Sequence, residues 1–154
     1  MIGNDIVDLG DPRTFRLHPR FDSRVFTGCE RERVEDHTDR WLLWACKEAA
    51  FKALNGIDPS VRFVPSEFEV QGGSVRWFQI SLPVRVELGE GYVHAIAGCG
   101  KAQVARREGD RHEAVRALAS RLMPDEDFSG KRPEGVSFSH HGRWVAVAFT
   151  EFRL

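Results

Sequence analysis

The sequence predicts an α+β fold, an antiparallel sheet packed against one long helix and a second helix, and three observations carry that expectation. Residues 38–54 form a stretch free of Gly and Pro, long enough for four or five helical turns. Segments 61–70, 74–80, 82–88 and 91–98 are rich in β-branched and aromatic residues, with Gly72-Gly73 and Gly89-Glu90-Gly91 between them, the pattern of an antiparallel meander. Strands and long helices are grouped apart rather than alternating, which favours α+β over a parallel α/β sheet. A chain of 154 residues fits a single domain over 1–154, large enough to bury roughly two thirds of its unfolded surface.

Taken in order, Ile6, Val7 and Leu9 make 2–9 a strand that Gly10-Asp11-Pro12 ends. Asp11 is placed to cap a short helix with Pro12 at its first position, a second short helix follows near 20–26 after Pro19, and Thr27 begins a third. Thr38 or Asp39 is expected to cap the long helix, and Asn55-Gly56 to stop it. A second long helix over 110–123 carries Val115, Leu118, Ala119 and Leu122 on one stripe. Its other face, with Arg111, Arg116 and Arg121, reads as solvated. Residues 124–134 read as a polar loop, and 135–149 as a hairpin whose Ser137 and Ser139 leave one face of the first strand.

Composition excludes several classes. A net charge of −1 argues against a general nucleic-acid binder. The longest apolar run, 145–149, falls far short of the roughly 18 residues a membrane span needs, and Asp5 and Asp8 spoil a signal-peptide reading, so a cytoplasmic location is expected. Cys29, Cys46 and Cys99 are odd in number and show no metal-binding spacing.

Three segments suggest chemistry. Gly3-Asn4-Asp5-Ile6-Val7-Asp8-Leu9 puts carboxylates on a strand, and Trp44-Ala45-Cys46-Lys47-Glu48-Ala49-Ala50-Phe51-Lys52 puts Glu48 and Lys52 on one helix face, with Lys47 about 100° away. On spacing alone, Glu48 and Lys52 are also an ordinary surface pair worth roughly 0.2–0.5 kcal/mol. Asp5 and Glu48 together would suit Mg²⁺, which is usually held by one or two carboxylates plus substrate phosphates. Ser137, Ser139 and His140 offer donors for phosphate oxygens. Trp41, Trp44, Trp77, Trp144 and His94 read as core residues.

These three segments, in this order, resemble the 4'-phosphopantetheinyl transferase superfamily, with its G-x-D-I strand, its W-x-x-K-E-A-x-x-K helix and its late S-x-S-H strand. Residues 20–30 and 53–57 extend the resemblance, which is greatest to the short holo-acyl-carrier-protein synthase group. It implies that the phosphopantetheine arm of coenzyme A is transferred to a serine of an apo acyl or peptidyl carrier protein, releasing 3',5'-ADP with Mg²⁺ on the diphosphate. Fatty acid or polyketide biosynthesis is where such carriers work.

Carried over by position, the resemblance makes Asp5 and Glu48 the metal ligands and Lys47 and Lys52 the phosphate-neutralising lysines, Lys52 assisting the leaving group. Ser137, Ser139 and His140 become the coenzyme-binding third motif. The serine proton goes to Glu48 or to a water on the metal, and the residues leave both routes open. Arg13, Arg16, Arg20 and Arg24 fall on the family's carrier-docking segment, although Asp11 stands where that group has an arginine and Pro12 and Pro19 break up the helix. Self-association is expected, with a trimer favoured, unless residues 72–105 complete the site within one chain. The alternative is a non-catalytic relative that binds carrier protein or coenzyme A within a synthase assembly. A nucleotide hydrolase would keep the carboxylates but has no need of the arginines.

Overall fold

The computed structural model describes residues 1–150. The first strand, β1 (Ile2–Asp8), is buried along its whole length. A 3-10 turn at Pro12–Phe15 follows, with Asp11 accepting from the backbone N–H of Arg13, and then two short helices, α1 (Phe21–Val25) and α2 (Gly28–Arg31). Thr27 caps α2 in a reciprocal box with Glu30. The long helix α3 (His37–Asn55) begins one to two residues before its expected caps. Asp36 accepts from Asp39 N–H, so Asp36 is the cap rather than Thr38 or Asp39. Asp39 instead accepts from the N–H of Glu35, outside the helix.

Strands β2 (Phe68–Gln71), β3 (Ser74–Trp77), β4 (Ile80–Gly89) and β5 (Tyr92–Gly98) form the expected meander, and β1 adds to β5 to give the antiparallel order β1-β5-β4-β3-β2. The expected strand over 61–70 shrinks to its last residues because Pro65 opens a 3-10 turn and supplies no N–H for a ladder. The expected strands over 74–80 and 82–88 are divided earlier, at Phe78, which has a φ of 51° in the turn between β3 and β4.

A strand absent from the sequence reading, β6 (Lys101–Arg106), precedes α4 (Arg111–Leu122). The hairpin β7 (Val136–His141) and β8 (Trp144–Phe149) joins β6 in a second sheet, β6-β8-β7. The antiparallel pattern is therefore divided between two sheets. Each has its own helix: α3 lies on the first, and α4 packs on β7 and β8 through Val115, Leu118 and Ala119.

Two features bring α3 and both sheets together. Gly3 lets α3 lie directly on β1, because a Cβ there would stand 2.1 Å from the carbonyl oxygen of Ala49 and 2.4 Å from the nitrogen of Ala53. On its other side β1 meets β7 through side chains instead of a backbone ladder. Asn4 N–H donates to Ser137 Oγ (3.0 Å), Ile6 N–H to Ser139 Oγ (3.0 Å) and Asp8 N–H to His141 Nδ1 (3.1 Å). Each partner advances by two residues along both strands, so β7 runs parallel to β1 with alternate side chains replacing the carbonyls of a ladder.

Candidate active site

The seam between β1 and β7, roofed by the middle of α3, is where the motif residues meet. Asp5 is buried on β1. Its Oδ1 accepts from Lys52 Nζ of α3 at 2.6 Å and from Ser139 Oγ of β7 at 3.1 Å. Residues separated by 47 and 134 positions thus converge on one carboxylate oxygen. Asp5 Oδ2 accepts from no described residue, yet it is not sealed from solvent.

Glu48, one turn before Lys52 on α3, is half-buried and neither of its oxygens accepts from a described residue. Burial pushes its pKa up, the neighbouring charge of Asp5 pushes it further, and Lys52 only partly opposes them, leaving it at about 7. Two carboxylates with one lysine between them form a site short of positive charge.

His140 points from the end of β7 toward α4, its ring meeting that of His112 edge-on at 5.3 Å between centroids. Arg111 Nε donates to His112 Nε2 at 3.3 Å. Burial lowers the pKa of His140, and Arg111 and His112 lower it further, with a smaller contribution from Lys52. The neutral form of His140 is thereby favoured, near the positive charges of Arg111 and Lys52. Arg111, Arg116 and Arg121 are exposed, as the solvated-face reading expected, whereas sequence reasoning passed over His112, because nothing in the spacing joins α4 to β7. The available signal was Asp110 ahead of the apolar stripe: it caps α4 and so places Arg111 and His112 in the helix's first turn.

Two expectations need correction. Lys47 does not face the site. Its side chain is wholly buried, its Nζ pairs with Glu30 Oε2 at 2.7 Å, and it donates to the carbonyls of Pro65 (2.9 Å) and Phe68. Burial lowers its pKa while Glu30 supports its charge. Glu30 also accepts from the N–H of Val70 and of Thr27, so the pair fastens α2, α3 and β2 together. A side chain with no exposed surface and three partners is not a phosphate ligand.

Ser137 is the second correction. It is closed to solvent, and besides taking Asn4 N–H on its hydroxyl it receives the Asn4 side-chain amide on its backbone oxygen at 2.7 Å. The opposite end of that amide faces His94 Nε2 at 3.1 Å, so His94 is a buried strand histidine rather than a ligand, although its Nδ1 has no hydrogen-bond partner among the described residues. Ser137 belongs to the seam rather than to a coenzyme surface, and so does buried Ser139, whose hydroxyl is taken up by Ile6 N–H and Asp5.

Of the arginines on the docking segment, Arg16, Arg20 and Arg24 are exposed. Arg13 is exposed too, but its guanidinium pairs with Asp11 at 2.7 Å, and that bond, against a smaller opposing effect of burial, holds the Asp11 carboxyl at about 2. Its charge is offset locally, which sets Arg13 apart from the other three. Phe15, also exposed, stacks on the His37 ring with centroids 4.1 Å apart.

Asp5 and Glu48 suit a hard divalent cation, since both carboxylates carry oxygens that accept from no described residue and carboxylate oxygen is the donor typical of Mg²⁺ sites. Among the described residues no group of three or more His, Cys, Asp or Glu gathers into a fuller cage. No described helix is long and apolar enough to cross a membrane. In comparison with known proteins, a family model described as the 4'-phosphopantetheinyl transferase superfamily matches residues 1–97, the span that carries Asp5, Glu48 and Lys52. No curated protein and no solved structure matches the chain.

Proposed function

Because the chain belongs to the 4'-phosphopantetheinyl transferase superfamily, we propose that it moves the 4'-phosphopantetheine arm of coenzyme A onto a serine of an apo acyl or peptidyl carrier protein. The observation that carries this reading is the meeting of Asp5 and Lys52 at 2.6 Å beside Glu48, two motifs from separate segments made into one site. The serine Oγ attacks the β-phosphorus of coenzyme A. The bond from that phosphorus to the oxygen bridging the two phosphates breaks, and 3',5'-ADP leaves with the bridging oxygen.

Lys52 lies where it can place positive charge against the leaving phosphate, and Asp5 holds it there. Glu48 is the chain's own group able to accept the serine proton. Asp5 and Glu48 would hold Mg²⁺, which supplies charge for the diphosphate when bound. His140 can donate a hydrogen bond to the coenzyme's phosphates, and Arg111, beyond the His112 ring, adds positive charge. Catalysis of this kind is mainly positioning and charge neutralisation, which is what these residues offer.

The carrier docks on Arg16, Arg20 and Arg24 with Phe15 as an apolar anchor, since carrier proteins of this class are acidic and a local basic patch steers them without a large net charge. A homotrimer is the favoured assembly, and light scattering tests it. The decisive experiment is mass spectrometry of apo carrier proteins incubated with the protein, coenzyme A and Mg²⁺. A gain equal to one phosphopantetheine is expected; no gain on any acyl or peptidyl carrier would overturn the proposal.

A further inference from the structure

We propose that Ser139 is a positioning residue that fixes which oxygen of Asp5 faces the cation, an inference that rests on Asp5 and Glu48 holding a divalent metal. A serine hydroxyl has one proton to give and two lone pairs to receive. Ile6 N–H donates to Ser139 Oγ at 3.0 Å, and Lys52 Nζ approaches the same oxygen at 3.4 Å. With donors on the oxygen, its single proton is directed to Asp5 Oδ1 at 3.1 Å.

Lys52 Nζ occupies that same Oδ1 at 2.6 Å. Both protein donors therefore hold one end of the carboxylate and leave Oδ2 as the open ligand atom. Ser139 is well placed for this because it is buried on a strand whose backbone is set by its pairing with Ala146 of β8. The same burial argues against the coenzyme contact expected from the motif.

Ser137 supplies a matched control. It accepts a β1 N–H in the same way, at the same distance and from the same strand, but has no bond to Asp5. Losing either hydroxyl removes an acceptor for a β1 N–H; losing Ser139 also removes one of the two donors on Asp5 Oδ1 and leaves Lys52 alone to orient the carboxylate.

The test is Mn²⁺ binding, read from the paramagnetic resonance of the free ion, with neither coenzyme A nor carrier present. Partners that orient a ligand typically contribute about 10–100-fold to metal affinity. Ser139→Ala is expected to weaken Mn²⁺ binding at least about tenfold. Ser137→Ala should stay within about twofold of wild type, although both lower the melting temperature alike, and Ser139→Thr, which keeps the hydroxyl, should restore binding. If Ser139→Ala does not fold, Ser139→Gly, which also lacks the hydroxyl, carries the comparison, and wild-type affinity there would overturn the role.

Equal weakening by Ser137→Ala and Ser139→Ala would make the effect one of the seam and overturn the inference. Wild-type affinity in Ser139→Ala would overturn it while leaving the metal reading intact. A wild-type protein that binds no Mn²⁺ would instead overturn the metal reading, and this inference with it.

Discussion

Glu48 carries a high affinity for a proton because it is half-buried beside Asp5, and a divalent cation would relieve that same crowding of negative charge. Glu48→Gln keeps the shape and removes the charge, so transfer should fall about a hundredfold or more while stability changes by less than about 1 kcal/mol. Single-turnover assays and thermal melts check the two halves; near-normal transfer at limiting Mg²⁺ would remove Glu48 from the site. Asp8 has a different role. Burial would raise its pKa, but Arg143 holds both carboxylate oxygens, with Nη2 at 2.7 Å and Nε at 2.9 Å, and the backbone N–H groups of Arg143 and Gly10 add to it, so the net shift is downward. A carboxyl with a lowered folded pKa contributes stability above its unfolded value of about 3.9, and that contribution is lost as pH falls through the folded value. Asp8→Asn should cost about 1–3 kcal/mol at neutral pH, limited because Arg143 is half-exposed, and the gap should narrow in acid. A gap that stays constant down to pH 2, followed by denaturant unfolding, would show that Asp8's charge is not what matters. At this scale the sequence identified Asp5, Glu48 and Lys52 as chemically interesting, but it could not distinguish Lys47 from Lys52, because both are lysines of one helix and only the packed neighbours decide which is enclosed.

For α3, spacing alone was enough to place Glu48 and Lys52 on one face, since a helix repeats every 3.6 residues whatever it packs against. What the helix touches depends on small residues. Ala49, Ala50 and Ala53 are buried, and Gly3 on β1 leaves no side chain in the way. Gly3→Ala would drive a methyl group into backbone atoms of α3, which cannot swing aside as a side chain would, so a loss of about 3 kcal/mol or more is expected. Activity should fall too, because separating α3 from β1 parts Lys52 from Asp5. Chemical denaturation together with transfer assays at low temperature tests both, and full activity in a folded Gly3→Ala protein would mean that the contact is not needed. Strand β6 escaped the sequence reading because its alternation of half-buried and exposed residues is weak. Pro65 was visible, yet its consequence for β2 was underestimated; a missing N–H matters only once a neighbouring strand requires it.

The molecule as a whole joins two antiparallel sheets by a line of side chains, and the arginines proposed for carrier docking lie outside that junction. Arg20→Glu and Arg24→Glu should raise the apparent Michaelis constant for the carrier several-fold and leave that for coenzyme A nearly unchanged. The defect should shrink with added salt, because exposed charges are screened beyond about 8 Å at physiological ionic strength. A steady-state salt series checks this, and an equal loss for both substrates would assign the segment a structural role. From the sequence alone came the α+β class, the meander, the long motif-bearing helix and the set Asp5, Glu48 and Lys52, because these depend on local periodicity, turn residues and motif order. Tertiary structure decided the rest: that Lys47 closes on Glu30, that Ser137 and Ser139 serve β1 as substitutes for a missing strand, and that Arg111 and His112 reach His140. Those are partnerships across long stretches of chain, and a side chain's role is set by which donors and acceptors folding leaves unsatisfied beside it.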